Sequence, residues 1–340
     1  MSRALVTGGT GFIGSNLVEM LLARGDDVTC LVRDNSPRLD RLKSLGARLT
    51  TFEGLSDAPA LRRAVEGQDV VYHVAGATKA LGRARLHEVN ERGARNVGRA
   101  CAERPNPPVL VHVSSLAACG PSARGAVRRE TDPPRPISQY GHSKLAGERA
   151  LRETADCVPT TIVRPGIALG PADVEGLAMF QFVKRFHAHA TPVGGCQRYS
   201  IIHAADLCRL IVLAAERGRR ITVEETDATR AVGCYFAAAE EYPTWAELGR
   251  MVSRALGRRW VLILPIVKPC VWPVAAVVET ASWMVRRPLY LNWDKAREIT
   301  GGSWVCSGDA ASAELGFSCE ASLAERLRQT AAWYRAAGWL

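Results

Sequence analysis

Tyr140 and Lys144 stand four residues apart in the run Ser138-Gln139-Tyr140-Gly141-His142-Ser143-Lys144. That spacing places both on one face of a helix. A phenol, with an ordinary pKa of about 10, is a poor acid or base at neutral pH. A neighbouring ammonium favours the phenolate. At ~4 Å and an effective dielectric of ~20 the attraction is about 4 kcal/mol, enough to bring a Tyr to roughly pKa 7. A proton donor or acceptor works best with its pKa near the working pH. By itself the pair describes a solvated helix surface equally well. Its weight comes from a second feature upstream, where Gly8, Gly11 and Gly14 form the pattern Gly-x-x-Gly-x-x-Gly. The strand-like run Ala4-Leu5-Val6 precedes it, and an amphipathic pattern from about Phe12 to Arg24, closed by Gly25, follows. A glycine turn between strand and helix lets the backbone approach a pyrophosphate, and the helix N-terminus offers free N–H donors.

The elements that must position these residues alternate in type. Val28–Val32, Arg48–Phe52, Asp69–Ala75, Val109–Val113 and Thr161–Arg164 read as further strands, and about 58–66, 86–104 and 138–155 read as helices. Continuous apolar strands separated by helix-length segments predict a doubly wound α/β fold, a parallel sheet covered on both faces. Its ligand lies beyond the carboxyl ends of the strands. After Pro165 the pattern changes. Residues 171–190 read as helical, Tyr199–Glu216 as a short strand running into a helix, and Cys234–Ala239 as a strand. Thr244-Trp245-Ala246-Glu247 is a capping box opening a helix that ends near Gly257. We expect a dinucleotide-binding domain over 1–165 and a smaller substrate-binding region over 166–340, with about 199–240 returning to the sheet.

With 340 residues and 47% apolar side chains, the chain has an ordinary globular composition. The formal charge of +10 is carried mainly by Arg. No basic tail, aromatic-interleaved basic stripe or nucleic-acid module accompanies it, so the expected partners exclude nucleic acid. The ten Cys show no paired C-x-x-C spacing, and no Cys/His cluster suggests zinc or another metal. With a strand opening within five residues of Met1, they read as reduced thiols of a cytoplasmic protein. His187 and His189 are two apart and share no helical face. His203 and Asp206 read as structural, and His73 as packing under the ligand.

Val261–Val285 is unusually apolar but holds Pro265, Pro269 and Pro273 with Lys268 and Glu279. Three prolines and two charges argue against a spanning helix. One reading is a buried helix pair over an apolar pocket. The other is peripheral membrane contact through 261–287, helped by Trp272, Trp283, Arg286 and Arg287.

Together these motifs resemble an extended short-chain dehydrogenase/reductase, the superfamily of sugar-nucleotide epimerases and dehydratases, 3β-hydroxysteroid dehydrogenases and dihydroflavonol reductases. The resemblance covers nearly the whole chain. It rests on Thr7–Gly14, His73-Val74-Ala75-Gly76, Val89-Asn90 with Asn96, His112-Val113-Ser114-Ser115, Tyr140/Lys144 and Arg164-Pro165-Gly166. It implies a catalytic set of Ser115, Tyr140 and Lys144. Gly120, five residues on, selects Ser115 over Ser114. It further implies cofactor contacts from Gly8, Thr10, Gly11, Phe12, Ile13, Gly14, Arg33, Ala75, Gly76, Asn90, Tyr140, Lys144 and Pro165. In that scheme Tyr140 moves a proton at the substrate oxygen while the nicotinamide moves a hydride at the same carbon. Lys144 lowers the Tyr pKa and holds the nicotinamide ribose. The resemblance also implies a homodimer packed through the 86–104 and 138–155 helices.

Three departures bear on specificity. NAD-preferring members commonly end the second strand with an Asp. This chain has Val32 followed by Arg33, which can pair with a 2′-phosphate and suggests NADP(H) rather than NAD(H). After the third strand, Gly54 stands where the family often has an adenine-binding Asp. Sugar-nucleotide members usually carry an Asn in the segment here reading Arg164-Pro165-Gly166-Ile167-Ala168-Leu169-Gly170-Pro171. Its absence resembles the hydroxysteroid dehydrogenase and dihydroflavonol reductase branch. The expected reaction interconverts a secondary hydroxyl and a ketone on a hydrophobic, sterol-, isoprenoid- or polycyclic-like small molecule. The alternative is a nucleotide-sugar epimerase or dehydratase, with Arg198 or a neighbour holding the diphosphate. A cofactor-binding scaffold without turnover is the third reading.

Overall fold

The structure, a computed structural model, describes residues 1–36, 38–289 and 291–340. Seven strands form one sheet, in spatial order Cys234–Ala237, Thr160–Pro165, Val109–Val113, Val70–His73, Arg3–Thr7, Asp27–Val32 and Arg48–Thr51. Every neighbouring pair is parallel. The chain order reverses beside Arg3–Thr7, which opens a crevice at the carboxyl ends of the central strands. The central strands are buried along nearly their whole length, as their continuous apolar runs require. On one face, Leu17, Val18 and Leu21 of the helix Phe12–Ala23 pack with Leu207, Leu210 and Ile211 of the helix Ala204–Arg217. On the other, Leu61, Val97 and Leu151 bring the helices Ala58–Val65, Gly93–Ala102 and Gln139–Arg152 onto Leu5, Val71 and Leu110.

Beyond the strand ends lies a smaller unit with its own core, including Phe180, Tyr199, Leu248, Leu327 and Tyr334. Two short parallel pairs brace it, Ile167–Leu169 with Ile201–His203 and Ala188–Pro192 with Leu262–Ile266. Of the 199–240 stretch, Cys234–Ala237 joins the large sheet and Ala204–Arg217 covers it, while Ile201–His203 pairs outside it.

Two sequence expectations need correction. The helix expected over 171–190 runs only from Val174 to Phe186. His187 takes a left-handed conformation (φ 51°) and ends it, and Ala188–Pro192 becomes a strand paired with Leu262–Ile266. The apolar stretch after Val261 is no buried helix pair. It is that strand followed by a single helix, Lys268–Met284, of which only Val271, Ala275 and Ser282 are buried. Pro269 is accommodated in the first turn, where its missing N–H costs nothing. Among the described residues no helix is long and apolar enough to cross a membrane.

Candidate active site

The glycine turn closes tightly on the next strand. Gly8 has φ +75°, and a Cβ there would lie 2.7 Å from the backbone of Ala75; a Cβ on Gly14 would lie 2.1 Å from the Gly8 carbonyl oxygen. Only glycine fits either position. Gly11 is the N-cap of the Phe12–Ala23 helix and supplies no side-chain acceptor. The first N–H groups of that helix therefore face the crevice as anion donors. A cavity of about 2040 Å³ runs from this turn past the strand ends. Its wall carries Gly8, Thr10, Gly11, Phe12, Ile13, Gly14, Arg33, Ala75, Gly76, Ser115, Tyr140 and Pro165. The volume exceeds the ~300–1,000 Å³ of an ordinary small-molecule pocket, leaving room for a dinucleotide and a second ligand.

Ser115 and Tyr140 both face this cavity, and the Ser115 hydroxyl is near enough to the phenol to hold its pKa down. Ser115 follows the strand Val109–Val113 and caps a short 3-10 turn, accepting from the Ala117 N–H at 3.1 Å. Gly120 (φ +84°) turns the chain against the Arg135 carbonyl, where a Cβ would lie 1.9 Å away. Ser114 points elsewhere: its buried hydroxyl donates to Glu148. Glu148 in turn holds Arg164 by a bidentate pair at 2.6 and 3.0 Å, with both side chains 2% exposed. Sequence reading did not single out Glu148. The one signal available was its position four residues after Lys144 on the helix.

The structure places two expected contacts beneath the cavity wall. Asn90 is 1% exposed. It grips the loop above it by accepting from the Ala77 N–H at 2.8 Å and donating to the Ala77 carbonyl and the Ser143 hydroxyl at 2.9 Å. It lies in a π-helical turn, Glu88–Arg92, and its own carbonyl would collide with any Cβ on Gly147. Lys144 is also buried, and its Nζ donates to the Val113 carbonyl at 2.8 Å, directly under Gly76. Burial lowers the Lys144 pKa to about 8, and burial raises Tyr140 to about 12. Ser115 first, and then the Lys295 charge, pull the phenol down against that burial. The expectation that Lys144 brings Tyr140 to neutral range is thus not met here: burial outweighs it and the ammonium is turned onto Val113. His73 and His112 stack below, ring centroids 5.1 Å apart, with Thr7 Oγ1 2.7 Å from His73 Nδ1. Burial first, then the Lys144 charge, keeps both imidazoles neutral.

Asp294 was not legible in the sequence. Its carboxylate accepts from the N–H groups of Gln139 at 2.6 Å and Tyr140 at 3.0 Å, anchoring the start of the Tyr140 helix. An anion suits a helix N-terminus. Ser138 caps the same helix through Gly141 and donates to Glu298 at 2.7 Å, and Glu298 also accepts from Lys295. The helix Trp293–Thr300 thereby fixes the Tyr140 end of the cavity.

A glycine turn at a switch point, with Ser115 and Tyr140 facing it across one cavity, is matched by a family model. The description "NAD dependent epimerase/dehydratase family" covers residues 4–226. The chain belongs to this family. It is an NAD(P)-binding oxidoreductase of the extended short-chain dehydrogenase/reductase type. It is 33% identical to the ceramide reductase of Caulobacter vibrioides, over 98% of this chain and 95% of that protein. It is 32% identical to the 4-hydroxy-2-methyl-3-oxo-4-farnesyl-3,4-dihydroquinoline-1-oxide ketoreductase of Stigmatella aurantiaca, over 88% of this chain and 91% of that one. In fold it is similar to the dTDP-glucose 4,6-dehydratase of Streptomyces venezuelae solved with NAD and TYD. The TM-score is 0.78 at 23% identity, covering 99% of this chain and 98% of that one. The glycine cradle and uncapped helix end fit the dinucleotide pyrophosphate that such a family binds.

The buried Lys144 has a consequence for stability. Its folded pKa of about 8 lies below the ordinary 10.5. Between those values the unfolded chain binds more protons, so this group makes stability rise with pH across that window. In denaturant titrations of the protein without cofactor, wild type should gain on Lys144→Met between pH 8 and pH 10. A constant difference would show that Lys144 is not depressed.

Proposed function

We propose that this enzyme reduces a ketone to a secondary alcohol on a hydrophobic substrate, with NADPH preferred over NADH. The observation that carries the reading is the set of apolar residues in the cavity wall, Met179, Trp245, Leu248, Ile266, Leu291 and Ile299, with the charges of Lys295 and Glu298 near Tyr140 paired to each other. A hydrophobic ligand needs such walls and few polar anchors. Of Arg198 and its neighbours, the expected diphosphate anchor of a nucleotide-sugar enzyme, Arg198 donates to the Tyr242 carbonyl at 3.0 Å and is not part of the cavity wall, while the uncharged Tyr199 and Ser200 are. The two relatives, by their names a reductase of a ceramide and a ketoreductase of a farnesylated quinoline, support the same choice.

A bound nicotinamide supplies the hydride. Tyr140, protonated at neutral pH because burial raises its pKa, is in the form that donates a proton to the developing alkoxide. Ser115, beside the phenol, would hold the substrate oxygen there. Hydride to carbon and proton to oxygen balance the conversion of ketone to alcohol, leaving a phenolate that regains its proton from solvent. Lys144 holds its charge beneath Gly76, next to where the resemblance places the ribose.

Cofactor choice rests on the end of the strand Asp27–Val32. Arg33, Ser36 and Arg38 all face the cavity there, and none of the three is acidic. A charge-assisted hydrogen bond contributes about 1.5–3 kcal/mol, or roughly 10- to 100-fold in affinity. Arg33→Ala should weaken NADPH by that factor and leave NADH within twofold, measured by fluorescence titration. An unchanged ratio would remove the NADP(H) assignment. The reaction itself is tested by following nicotinamide absorbance with two panels, one of sterol, isoprenoid and long-chain ketones, the other of nucleotide sugars. Net NADPH consumption with the first panel is expected. Sugar isomers or dehydrated sugars without net cofactor turnover would replace this reading with the epimerase/dehydratase one.

A further inference from the structure

The helix Lys268–Met284 is built the wrong way round for a helix facing water. Its inward positions are the small or modest Val271, Ala275 and Ser282. Its outward positions include Val274, Val277, Trp283 and Met284, with Val277 69% and Met284 80% exposed. The strand before it adds Leu262 and Leu264 to the exposed apolar surface, and Trp260 stands at its head against the ring of His187. Exposed apolar residues in this number on one strand–helix segment mark an interaction site.

Its surroundings name the occupant. From Arg258 to Leu289 the chain carries five cations, Arg258, Arg259, Lys268, Arg286 and Arg287, against the single anion Glu279. All but Arg258 among these cations are exposed, with Arg259 before the strand, Lys268 at the start of the helix and Arg286 and Arg287 just after it. The one carboxylate is drawn to the Trp283 indole N–H at 3.1 Å. Apolar residues and tryptophans between exposed cations match a bilayer surface bearing anionic headgroups. The helix has 17 residues and Pro273 inside it, too short and interrupted to span, so it lies in the interface plane. The face also continues into the active-site cavity: Ile266, exposed on the strand, and Pro288, just after the helix, both belong to the cavity wall.

We propose that this face seats the enzyme on an anionic bilayer with the cavity mouth at the lipid surface, so that an apolar substrate enters without crossing water. The entry route rests on the hydrophobic-substrate reading, whereas the seating does not. The full-length protein is floated with vesicles of phosphatidylcholine alone or mixed with phosphatidylglycerol, at low and high salt. Binding is expected on the mixed vesicles, at least tenfold weaker on the neutral ones, and weakened by salt. Val277→Glu and Trp283→Glu should each reduce it about tenfold, while turnover of a short, water-soluble ketone stays at the wild-type level. Arg286→Glu with Arg287→Glu should abolish the preference for the anionic lipid. No flotation with the mixed vesicles, or equal binding to both, overturns the proposal. So does a wild-type dimer that Val277→Glu converts to monomer, since a second copy would then cover the face. Vesicle binding without ketone reduction would retain the seating and refute the substrate reading.

Discussion

Tyr140→Phe should lower kcat for ketone reduction by about 10²–10⁴-fold, the usual contribution of a positioned general acid. In the proposed reaction the phenol is the proton source; it faces the cavity beside Ser115, and its ring packs among apolar neighbours that a Phe would keep. The Asp294 anchor holds the backbone of residue 140 and not its side chain, so the helix start is undisturbed. NADPH affinity should therefore stay within about twofold, and the loss should appear in kcat rather than in cofactor binding. Single-turnover mixing of enzyme, NADPH and ketone separates the two. Full activity in the variant would remove Tyr140 from the proton path.

The second large effect lies one layer below. Glu148→Ala would leave the Arg164 guanidinium, 2% exposed and bonded by both oxygens of that carboxylate, without its partner. Breaking a buried pair on one side costs about 3–5 kcal/mol. The Ser114 hydroxyl would lose its acceptor as well. Urea denaturation should show a loss of that size. The double variant Glu148→Leu/Arg164→Met should recover most of it, because no uncompensated charge then remains. A single-variant loss under ~1 kcal/mol, or a double variant no better than the single, would show that the pair does not brace the strand behind Ser115.

What could be read from the sequence follows the range of the interactions involved. The glycine turn was legible because strand, turn and helix are consecutive and the backbone demands of Gly8 and Gly14 are local. The sheet was legible because its central strands Arg3–Thr7 and Val109–Val113 are buried and largely apolar. The Thr244 capping box was legible for the same local reason, and both of its hydrogen bonds form. Asp294 and Glu298 were not, because they meet the Tyr140 helix from more than 150 positions away and nothing near them in sequence announces it. Composition misled over 261–285, where apolar residues that suggested a covered core instead face outward on a strand and a single helix. Spacing misled at Lys144: four residues do place it on the Tyr140 helix, but a nearby carbonyl on the strand Val109–Val113 takes its ammonium. Asn90 shows the same limit. The resemblance implied a cofactor contact for it, while its commitment to Ala77 and Ser143 depended on a π-helical turn that no residue pattern specifies.

The most direct measurement is the fate of the hydride. The enzyme is incubated with NADPH deuterated at the nicotinamide C4 and an apolar ketone of the sterol or long-chain type, and the product is examined by mass spectrometry and NMR. One deuterium on the carbinol carbon, with one NADP+ formed per alcohol, is the expected result. Product without deuterium at that carbon would contradict hydride transfer to a ketone. So would no apolar product at all alongside conversion of a nucleotide sugar with the cofactor returned unchanged.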